Sequence, residues 1–576
     1  MTAVTSAAEA TGPGAAEPAE ARPSPVDPAP RRWPRPPRAV WLATALFGLV
    51  LALWSVAVPQ YRAPDESAHV DLVLYLAAGN GYPSYDGRYI GEAMQLDTER
   101  WQVDAMQWWP AFDARDAPPR DGRPDVDDLG GLEPDREAKP TNRPRPDYPA
   151  VFNQMPQHPP LYYAAMAAVL GAERLLLPGD GIPSLDREVG LLRLANAALV
   201  LPLPVLAWAT ARRMGAGDRA AVVAALGPLA LPQLTHIGAS VNNDNLLTLL
   251  GGVLAVLLVG VARGRRGWRT DLAVGVVLGL TLLTKAFALM YVPWIVTAYA
   301  LCWWTTGRGR EAVRGTIVAG ASSAVVGAWW WIANLVREGE LAPTTENLTR
   351  STASRPPGFS ADPLAFAWAF TGRMASRTWA WVGYRSPKFD LPAALVTVLT
   401  LAVLAASVAA WRSAARGRST GRGTRRWDVA FAWLLTVLLC AFIARRAWGL
   451  YAVTGHHAFI QGRYLYSAIL PPLAVAALGV TVVLRRWAAP ATLAVVVLVQ
   501  GWMLSDIVRG AWSGEGRWGP VAGVLAWSPW PASAVVATAV LAIVVAAATA
   551  LAVTTTDLAS LTSPHRRERG EIGVSE

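Results

Sequence analysis

The sequence contains few charged residues and few cysteines. Only 16% of its 576 residues are Asp, Glu, Lys or Arg, whereas hydrophobic residues make up 53%. Soluble proteins carry about 25% charged residues, because a folded chain of this length needs a polar surface. The low charge therefore excludes an ordinary soluble protein. The two cysteines, Cys302 and Cys440, both lie in apolar segments, so the sequence shows no disulfide framework.

Lysine is almost absent, and arginine supplies nearly all of the positive charge. The three lysines are Lys139, Lys285 and Lys388. The arginines collect in short clusters between apolar segments, such as RGRRGWR at 263–269. Clusters of this kind mark the cytoplasmic side of membrane proteins. The net charge of +10 therefore indicates orientation in a membrane, and we expect no nucleic-acid partner.

Long apolar segments predict an all-α polytopic membrane protein. Segments of about 20 residues, the length that crosses a bilayer, recur along the chain. Placing them between the basic clusters predicts about twelve transmembrane helices with both termini in the cytoplasm. This arrangement requires that the apolar segment 161–177 lie at the outer membrane surface, because the basic clusters after it would otherwise face outward. The predicted spans are 39–58, 189–211, 219–238, 246–262, 271–284, 287–304, 316–335, 391–411, 428–446, 464–484, 490–508 and 531–553.

Long segments remain outside the predicted spans. Residues 1–38 are rich in Ala, Pro, Glu and Arg and cannot bury a core, so we expect a disordered cytoplasmic tail. Residues 59–188 are predicted to form a large first extracytoplasmic loop, with an irregular excursion at 111–150. Residues 336–390 form a second large outer segment, and residues 554–576 a second cytoplasmic tail.

Ionisable residues near the outer ends of the spans are the candidate functional residues. Polar groups close to hydrocarbon are costly and are usually kept for function. The carboxylates Asp65, Glu66 and Asp244 lie on this side, and so do five of the six histidines, namely His69, His158, His236, His456 and His457. Together they indicate one outward-facing site.

The motif PDESAH at 64–69 carries two acids directly after the first span. Pro64 predicts a helix over 65–78 with Asp65 and Glu66 in its first turn, and helical spacing places His69 on the same face as Asp65. The alternative is that Asp65 only caps this helix and His69 is its partner. Capping alone does not explain two adjacent acids and a histidine at the bilayer surface.

Two further motifs contribute polar residues to the same side. In HPPLYY at 158–163, His158 precedes a predicted helix, and the alternative is a simple surface histidine. VNNDN at 241–245 is a predicted turn between two spans. Its Asn243 and Asp244 either cap the next helix or bind a cation or a sugar hydroxyl at the membrane surface.

Lys285, in LLTK at 282–285, is a lysine inside an apolar segment of a chain that otherwise uses arginine. Its position between two short spans places it near the outer face. It either binds a lipid phosphate or extends its ammonium group to the membrane interface.

QGRY at 461–464 places Gln461, Arg463 and Tyr464 at the outer start of a span. Arg445 and Arg446 also lie near that side, against the positive-inside trend. Arginines in such positions need an anion, and phosphate suits the guanidinium fork. The alternative is an interfacial arginine that rests on aromatic residues.

In this order on a chain with many spans, the five motifs resemble the GT-C superfamily of membrane glycosyltransferases. Within it they are similar to a bacterial branch known mainly as a domain of unknown function, related to the protein mannosyltransferases and the aminoarabinose transferase. The resemblance covers about residues 39–485, which would form a GT-C-like transmembrane catalytic region. Residues 486–553 would then add C-terminal transmembrane helices.

The resemblance implies a function as well as a fold. The fold is a bundle with juxtamembrane helices in its first extracytoplasmic loop. The implied reaction moves a sugar from a polyprenyl-phosphate donor, with inversion, to a glycan, lipid or protein acceptor in the cell envelope. The implied location is the bacterial plasma membrane, with an extracytoplasmic active site.

The resemblance also implies roles for individual residues. Asp65 matches the essential carboxylate, with Glu66 beside it. Many members pair acids in the second outer loop, where this chain offers only Asn242, Asn243 and Asp244, so no cofactor is assigned and a divalent metal stays open. The substrate and lipid-phosphate ligands would come from His69, His158, Asn243, Asp244, Lys285, Gln461, Arg463 and Tyr464.

The implied chemistry needs a base and cations. Asp65 would take the proton of the acceptor hydroxyl, while Arg463 and Lys285 stabilise the departing phosphate. The main alternative is a transporter or flippase of lipid-linked sugars, which should show inverted repeats and charges near the bilayer midplane. A scaffold of envelope assembly is a third possibility, but it would not need clustered acids and histidines.

Overall fold

The structure is a computed structural model that describes residues 35–91, 94, 152–176, 185–345, 357–383, 389–416, 423–512 and 516–561. The predicted tail at 1–38 lies almost wholly outside the described residues, and so does the predicted excursion at 111–150. The helix that includes the last predicted span continues to Leu561, and the rest of the predicted C-terminal tail lies outside the described residues.

Helices make up most of the described chain. In chain order they are α1 (Arg38–Ala57), α2 (Glu66–Ala77), α3 (Leu161–Leu176), α4 (Leu185–Val200), α5 (Leu203–Arg213), α6 (Asp218–Leu226), α7 (Pro232–Gly238), α8 (Asp244–Ala262), α9 (Trp268–Leu282), α10 (Tyr291–Thr306), α11 (Gly309–Glu338), α12 (Pro363–Trp379), α13 (Ala393–Arg416), α14 (Arg426–Thr454), α15 (Leu470–Leu484), α16 (Ala488–Ala511), α17 (Gly519–Trp527) and α18 (Ala532–Leu561). Short 3-10 helices cover Met155–Gln157, Pro228–Ala230, Ala286–Met290, Gly462–Ala468 and Arg485–Trp487. Two short antiparallel strands, β1 (Trp381–Val382) and β2 (Phe389–Asp390), follow α12.

Among the described residues, nine helical segments are long and apolar enough to cross a membrane. The pair Asp218–Ala230 and Pro232–Gly238 makes a tenth if it is one broken span instead of a re-entrant loop; it bends by 66° where Pro232 cannot donate a backbone hydrogen bond. The prediction of an all-α polytopic membrane protein is confirmed, whereas the count of about twelve spans is not. α9 has only 15 residues, and Leu470–Ala511 is one candidate segment of 42 residues that contains the two helices α15 and α16, where two spans were predicted. α3 is not among the candidate spans.

The basic cluster at 263–269 meets two other loop regions, near Glu311 and Asp428, at one end of the bundle. Arg263 binds the carboxylate of Asp428 at 2.6 Å, and Arg266 pairs with Asp271 at 2.5 Å and with Glu311 at 3.5 Å. α8 ends beside Arg263 and begins at Asp244, 19 residues earlier. At 1.5 Å per residue this helix is about 28 Å long, close to the hydrocarbon thickness of a bilayer. The polar motifs therefore lie about one membrane thickness from the basic clusters.

Close helix contacts bring motifs that are distant in sequence together at the end of the bundle opposite the basic clusters. A Cβ atom on Gly251 of α8 would lie 2.1 Å from the carbonyl oxygen of Ser467, so only glycine lets α8 rest against the 3-10 helix that carries Arg463. Likewise, a Cβ atom on Gly327 of α11 would lie 2.7 Å from the carbonyl oxygen of Gly279 in α9. α9 leads directly to Lys285, so this second contact places Lys285 beside the C-terminal part of α11, where Trp330 and Trp331 lie.

The segment that follows α2, predicted to be an extracytoplasmic loop, is attached to α2 on both sides of the residues that the structure does not describe. The buried carboxylate of Asp71 accepts hydrogen bonds from Arg88 at 2.8 Å, from the backbone of Gly91 at 2.9 Å and from Asn153 at 2.7 Å. Gly91 and Asn153 flank the part of the loop that is largely outside the described residues. Asp71 therefore fixes where the chain leaves α2 and where it returns.

Candidate active site

Asp65 is the residue directly before α2, and its carboxylate points away from the helix. Its φ angle of 62° lies in the left-handed region, which residues other than glycine seldom adopt. Its side chain makes no capping hydrogen bond. Its Oδ2 accepts a hydrogen bond from Arg463 at 2.5 Å, and its Oδ1 accepts one from Gln154 at 3.3 Å. The cap interpretation of Asp65 therefore does not describe its contacts.

Glu66 lies beside Asp65 in sequence but faces the opposite way. Its fully buried carboxylate pairs with Arg193 at 2.6 Å and accepts backbone hydrogen bonds from Tyr61 at 2.9 Å and from Val241 at 3.0 Å. These contacts join the end of α1, α4 and the turn before α8. The structure does not bring Glu66 together with the other candidate residues.

Arg463 connects Asp65 to the second-loop acid. Its Nη1 donates to the carbonyl oxygen of Pro64 at 3.1 Å, and its Nε lies 3.5 Å from Oδ2 of Asp244. Burial lowers the pKa of Arg463, but the charges of Asp65, Tyr464 and Asp244 outweigh it and raise that pKa above the usual value. The guanidinium therefore stays charged although it is buried.

Lys285 is the second cation of this cluster. Its Nζ pairs with Oδ1 of Asp244 at 2.5 Å, lies 3.3 Å from Oδ1 of Asn243, and stands 5.0 Å from the centroid of the Tyr464 ring. The turn holds Asp244 in place, because the side chain of Asn242 accepts a hydrogen bond from the Asp244 backbone at 2.9 Å. Asp244 thus faces two cations. In the described part of the chain, no group of three His, Cys, Asp or Glu side chains could hold a metal ion.

These residues surround a cavity of about 110 Å³. Seven of the candidates predicted from sequence line it, namely Asp65, His69, His158, Asn243, Lys285, Arg463 and Tyr464. Glu66, Asp244 and Gln461 do not line it, although Asp244 contacts two of the lining cations. The cavity therefore combines one carboxylate, two imidazoles and buried cations at the end of the bundle opposite the basic clusters.

The sequence matches a family model over residues 47–473. The model is DUF2142, described as a predicted membrane protein, and it spans well over half of the chain. The chain belongs to the DUF2142 family. No curated protein matches its sequence significantly.

Two solved structures resemble the DUF2142 protein at low identity. ArnT from Cupriavidus metallidurans bound to undecaprenyl phosphate has a TM-score of 0.44 and 14% identity, over 90% of this chain and 74% of that one. The apo state of ArnT from the same organism has a TM-score of 0.38 and 16% identity, over 69% of this chain and 63% of that one. Similarity at this level does not assign an activity.

Two histidines of the DUF2142 protein reach the cavity. His69 lies with Nδ1 3.0 Å from the hydroxyl oxygen of Tyr163. Burial, together with the charges of Lys285 and Arg463, lowers the pKa of His69 well below its usual value. Burial, Lys285 and His69 likewise lower the pKa of His158. Both imidazoles are therefore neutral at pH 7, and they can exchange hydrogen bonds with hydroxyl groups but do not attract phosphate by charge.

The other histidines predicted to lie on the outer side, His236, His456 and His457, do not line the cavity. His236 is buried 6.2 Å from the ring of Trp54, and His457 stacks on Tyr451 with ring centroids 4.7 Å apart. A predicted position on the outer side was therefore not enough to tell which histidines line the cavity.

Several cavity residues of the DUF2142 protein were not identified from sequence. Gln154 binds Asp65 but lies in a segment without helical or strand periodicity. Trp330 and Trp331 line the cavity, and tryptophans near a span boundary are typical of interfacial anchors, so they gave no signal of a site. Arg446 also lines it, 4.3 Å from the centroid of the Phe459 ring, and its departure from the positive-inside trend was the available signal.

Proposed function

We propose that this DUF2142 protein is a GT-C-type membrane glycosyltransferase of the bacterial plasma membrane. Its catalytic region is residues 39–485. It moves a sugar from a polyprenyl-phosphate donor to an acceptor of the cell envelope, and its cavity opens on the extracytoplasmic side. The observation that carries the proposal is the direct contact of Asp65 with Arg463 at a cavity one membrane thickness from the basic clusters.

Asp65 is the proposed general base. Its side chain keeps 25% of its surface exposed, whereas the side chain of Asp244 is 2% exposed and held by Lys285. A base must reach the acceptor hydroxyl, and Asp65 is the carboxylate that lines the cavity. Asp244 instead positions the two cations.

Lys285 and Arg463 are the proposed ligands of the donor phosphate. A guanidinium binds phosphate through two hydrogen bonds, and a lysine supplies a point charge. Both cations are buried, so their attraction for an anion is stronger than at an exposed surface. The neutral imidazoles of His69 and His158 suit hydroxyl groups of the sugar or of the acceptor.

The proposed reaction is a single displacement with inversion. The acceptor hydroxyl gives its proton to Asp65 while its oxygen forms a bond to the anomeric carbon of the sugar. The bond between that carbon and the phosphate oxygen breaks, and polyprenyl phosphate leaves with the electron pair. Lys285 and Arg463 stabilise the negative charge that develops on the leaving phosphate.

The remaining candidates have supporting roles in this proposal. Glu66 holds the end of α1 through Arg193 and holds the turn before α8 directly, through the backbone of Val241. It therefore acts on the shape of the site and not on substrate. Gln461 begins the 3-10 helix that carries Arg463, and its side chain stays outside the cavity. Asn243 and Tyr464 complete the surroundings of Lys285.

The test compares a deletion strain complemented with wild-type protein or with D65N. We expect D65N to insert normally and to abolish transfer, so that the lipid-linked donor remains on the outer leaflet. The matched control is D362N, which makes the same change at a solvent-exposed helix cap whose hydrogen bonds asparagine can keep.

Two results would contradict the assignment. Full transfer by D65N would remove Asp65 as the base. Donor stranded on the inner leaflet of the deletion strain would favour the transporter or flippase. Lipid-linked sugars and envelope glycans from each strain are measured by mass spectrometry, with leaflet assignment by a membrane-impermeant reagent.

A further inference from the structure

Arg463, the proposed phosphate ligand, already binds Asp65, the proposed base. The guanidinium of Arg463 donates to Oδ2 of Asp65 at 2.5 Å, and Gln154 donates to the other carboxylate oxygen at 3.3 Å. Both oxygens of Asp65 therefore carry hydrogen bonds. An acceptor hydroxyl that approached Asp65 in this arrangement would have to displace one of them.

Asp244, the second carboxylate near Arg463, lies farther from the guanidinium than Asp65 does. Nε of Arg463 and Oδ2 of Asp244 face each other at 3.5 Å, and in the described part of the chain neither atom has a hydrogen-bond partner. The shorter contact of Asp244 is with Lys285, at 2.5 Å. The guanidinium is thus bound tightly at the cavity by Asp65 and loosely behind it by Asp244.

The four side chains form a neutral chain of alternating charges, in the order Asp65, Arg463, Asp244 and Lys285. A phosphodiester brings one negative charge and two free oxygens. It can contact Arg463 and Lys285 together, because both line the same cavity. The short contact of Asp65 is with Arg463. A phosphate can therefore take the place of Asp65 on the guanidinium.

We propose that the donor phosphate replaces Asp65 as the partner of Arg463, and that this exchange frees Asp65 to accept the proton of the acceptor. The inference rests on the proposed function. It makes Arg463 a positioning residue for the base before it becomes a phosphate ligand. The donor binds first and the acceptor second, and a chain without donor does not present a free base.

The test measures the dissociation constant of a polyprenyl phosphate for the full-length chain in nanodiscs. D65N removes the competing carboxylate charge, so we expect it to bind this probe about tenfold more tightly than the wild type. D362N serves as the matched control and should leave the dissociation constant unchanged. Thermal unfolding of each variant establishes that the binding protein is folded.

Removing a carboxylate could also strengthen binding by relieving direct repulsion of the phosphate. The variant R463Q separates the two explanations. Under the exchange, the gain from D65N passes through Arg463 and disappears in the R463Q background. If repulsion acts alone, the gain persists there, and the exchange is overturned.

The remaining outcomes separate this inference from the proposed function. Unchanged or weaker binding by D65N overturns the exchange, and the proposed function stands if the wild type still transfers sugar and D65N does not. A wild type that binds no polyprenyl phosphate overturns both. Tighter binding by D65N that requires Arg463 supports the exchange.

Discussion

Replacing Lys285 by glutamine should destabilise the protein through Asp244. The ammonium group of Lys285 supplies the short contact to Oδ1 of Asp244 at 2.5 Å, and Oδ2 of the same carboxylate has no hydrogen-bond partner in the described part of the chain. Both side chains are buried, at 7% and 2% exposure. Removing one partner of a buried ion pair costs about 3 kcal/mol. Without Lys285, the buried Asp244 carboxylate would keep only the longer contact with Arg463 at 3.5 Å.

The second variant tests whether the cost arises from that charge. K285Q/D244N removes both members of the pair, so we expect it to recover most of the lost stability. The exposed pair of Arg308 with Glu311, at 4.0 Å, provides the control, and R308Q should change stability by less than about 0.5 kcal/mol.

The assay is reversible unfolding of the purified protein in bilayer discs or mild detergent, with free energies compared between the wild type and the three variants. K285Q with wild-type stability would refute the reasoning. So would a double variant no more stable than K285Q, because the penalty would then not come from the stranded carboxylate. Polyprenyl-phosphate binding measured on the folded variants separates loss of a ligand from loss of stability.

Two further predictions concern neighbouring residues. E66Q should lower the free energy of unfolding by about 3 kcal/mol, because Arg193 loses its buried charged partner. In folded protein it should leave the dissociation constant for polyprenyl phosphate unchanged. Weaker binding with normal stability would contradict the supporting role of Glu66. Burial and the neighbouring cations lower the pKa of His69 and of His158, so the unfolded chain takes up protons at higher pH than the folded one. The stability that these imidazoles contribute is therefore full above about pH 6.5 and falls as the pH drops below it. Thermal unfolding between pH 7.5 and pH 5 should show this loss, and H158Q should reduce it.

The membrane character of the chain could be predicted from sequence because it depends on composition and on segment length. Apolar segments and arginine clusters need no tertiary information, and their arrangement agrees with the described helices. The number of spans could not be predicted in the same way. α9 is short, and α15 and α16 follow each other through the 3-10 helix Arg485–Trp487 and form one continuous candidate segment, so the number of predicted spans differs from the number of candidate segments.

The site residues were predictable in part, because charge near hydrocarbon is conspicuous in a sequence. Asp65, Lys285 and Arg463 stood out for this reason, and the structure brings them together. Glu66 had the same signal, yet its carboxylate turns toward Arg193. The difference arises from the left-handed backbone at Asp65, which directs two adjacent side chains to opposite sides and which no local pattern indicates. Gln154 gave no signal, since its role depends only on where the chain returns to α2.

The attachment of the chain to α2 at Gly91 and Asn153 has a consequence for the length of the segment between them. Gly91 and Asn153 both bind Asp71, so the two ends of the intervening polypeptide meet at a single side chain of α2. Insertions or deletions between these two attachment points need not displace the cavity. Relatives with very different lengths in this segment, and recombinant proteins with an epitope inserted there, could therefore share the same catalytic geometry.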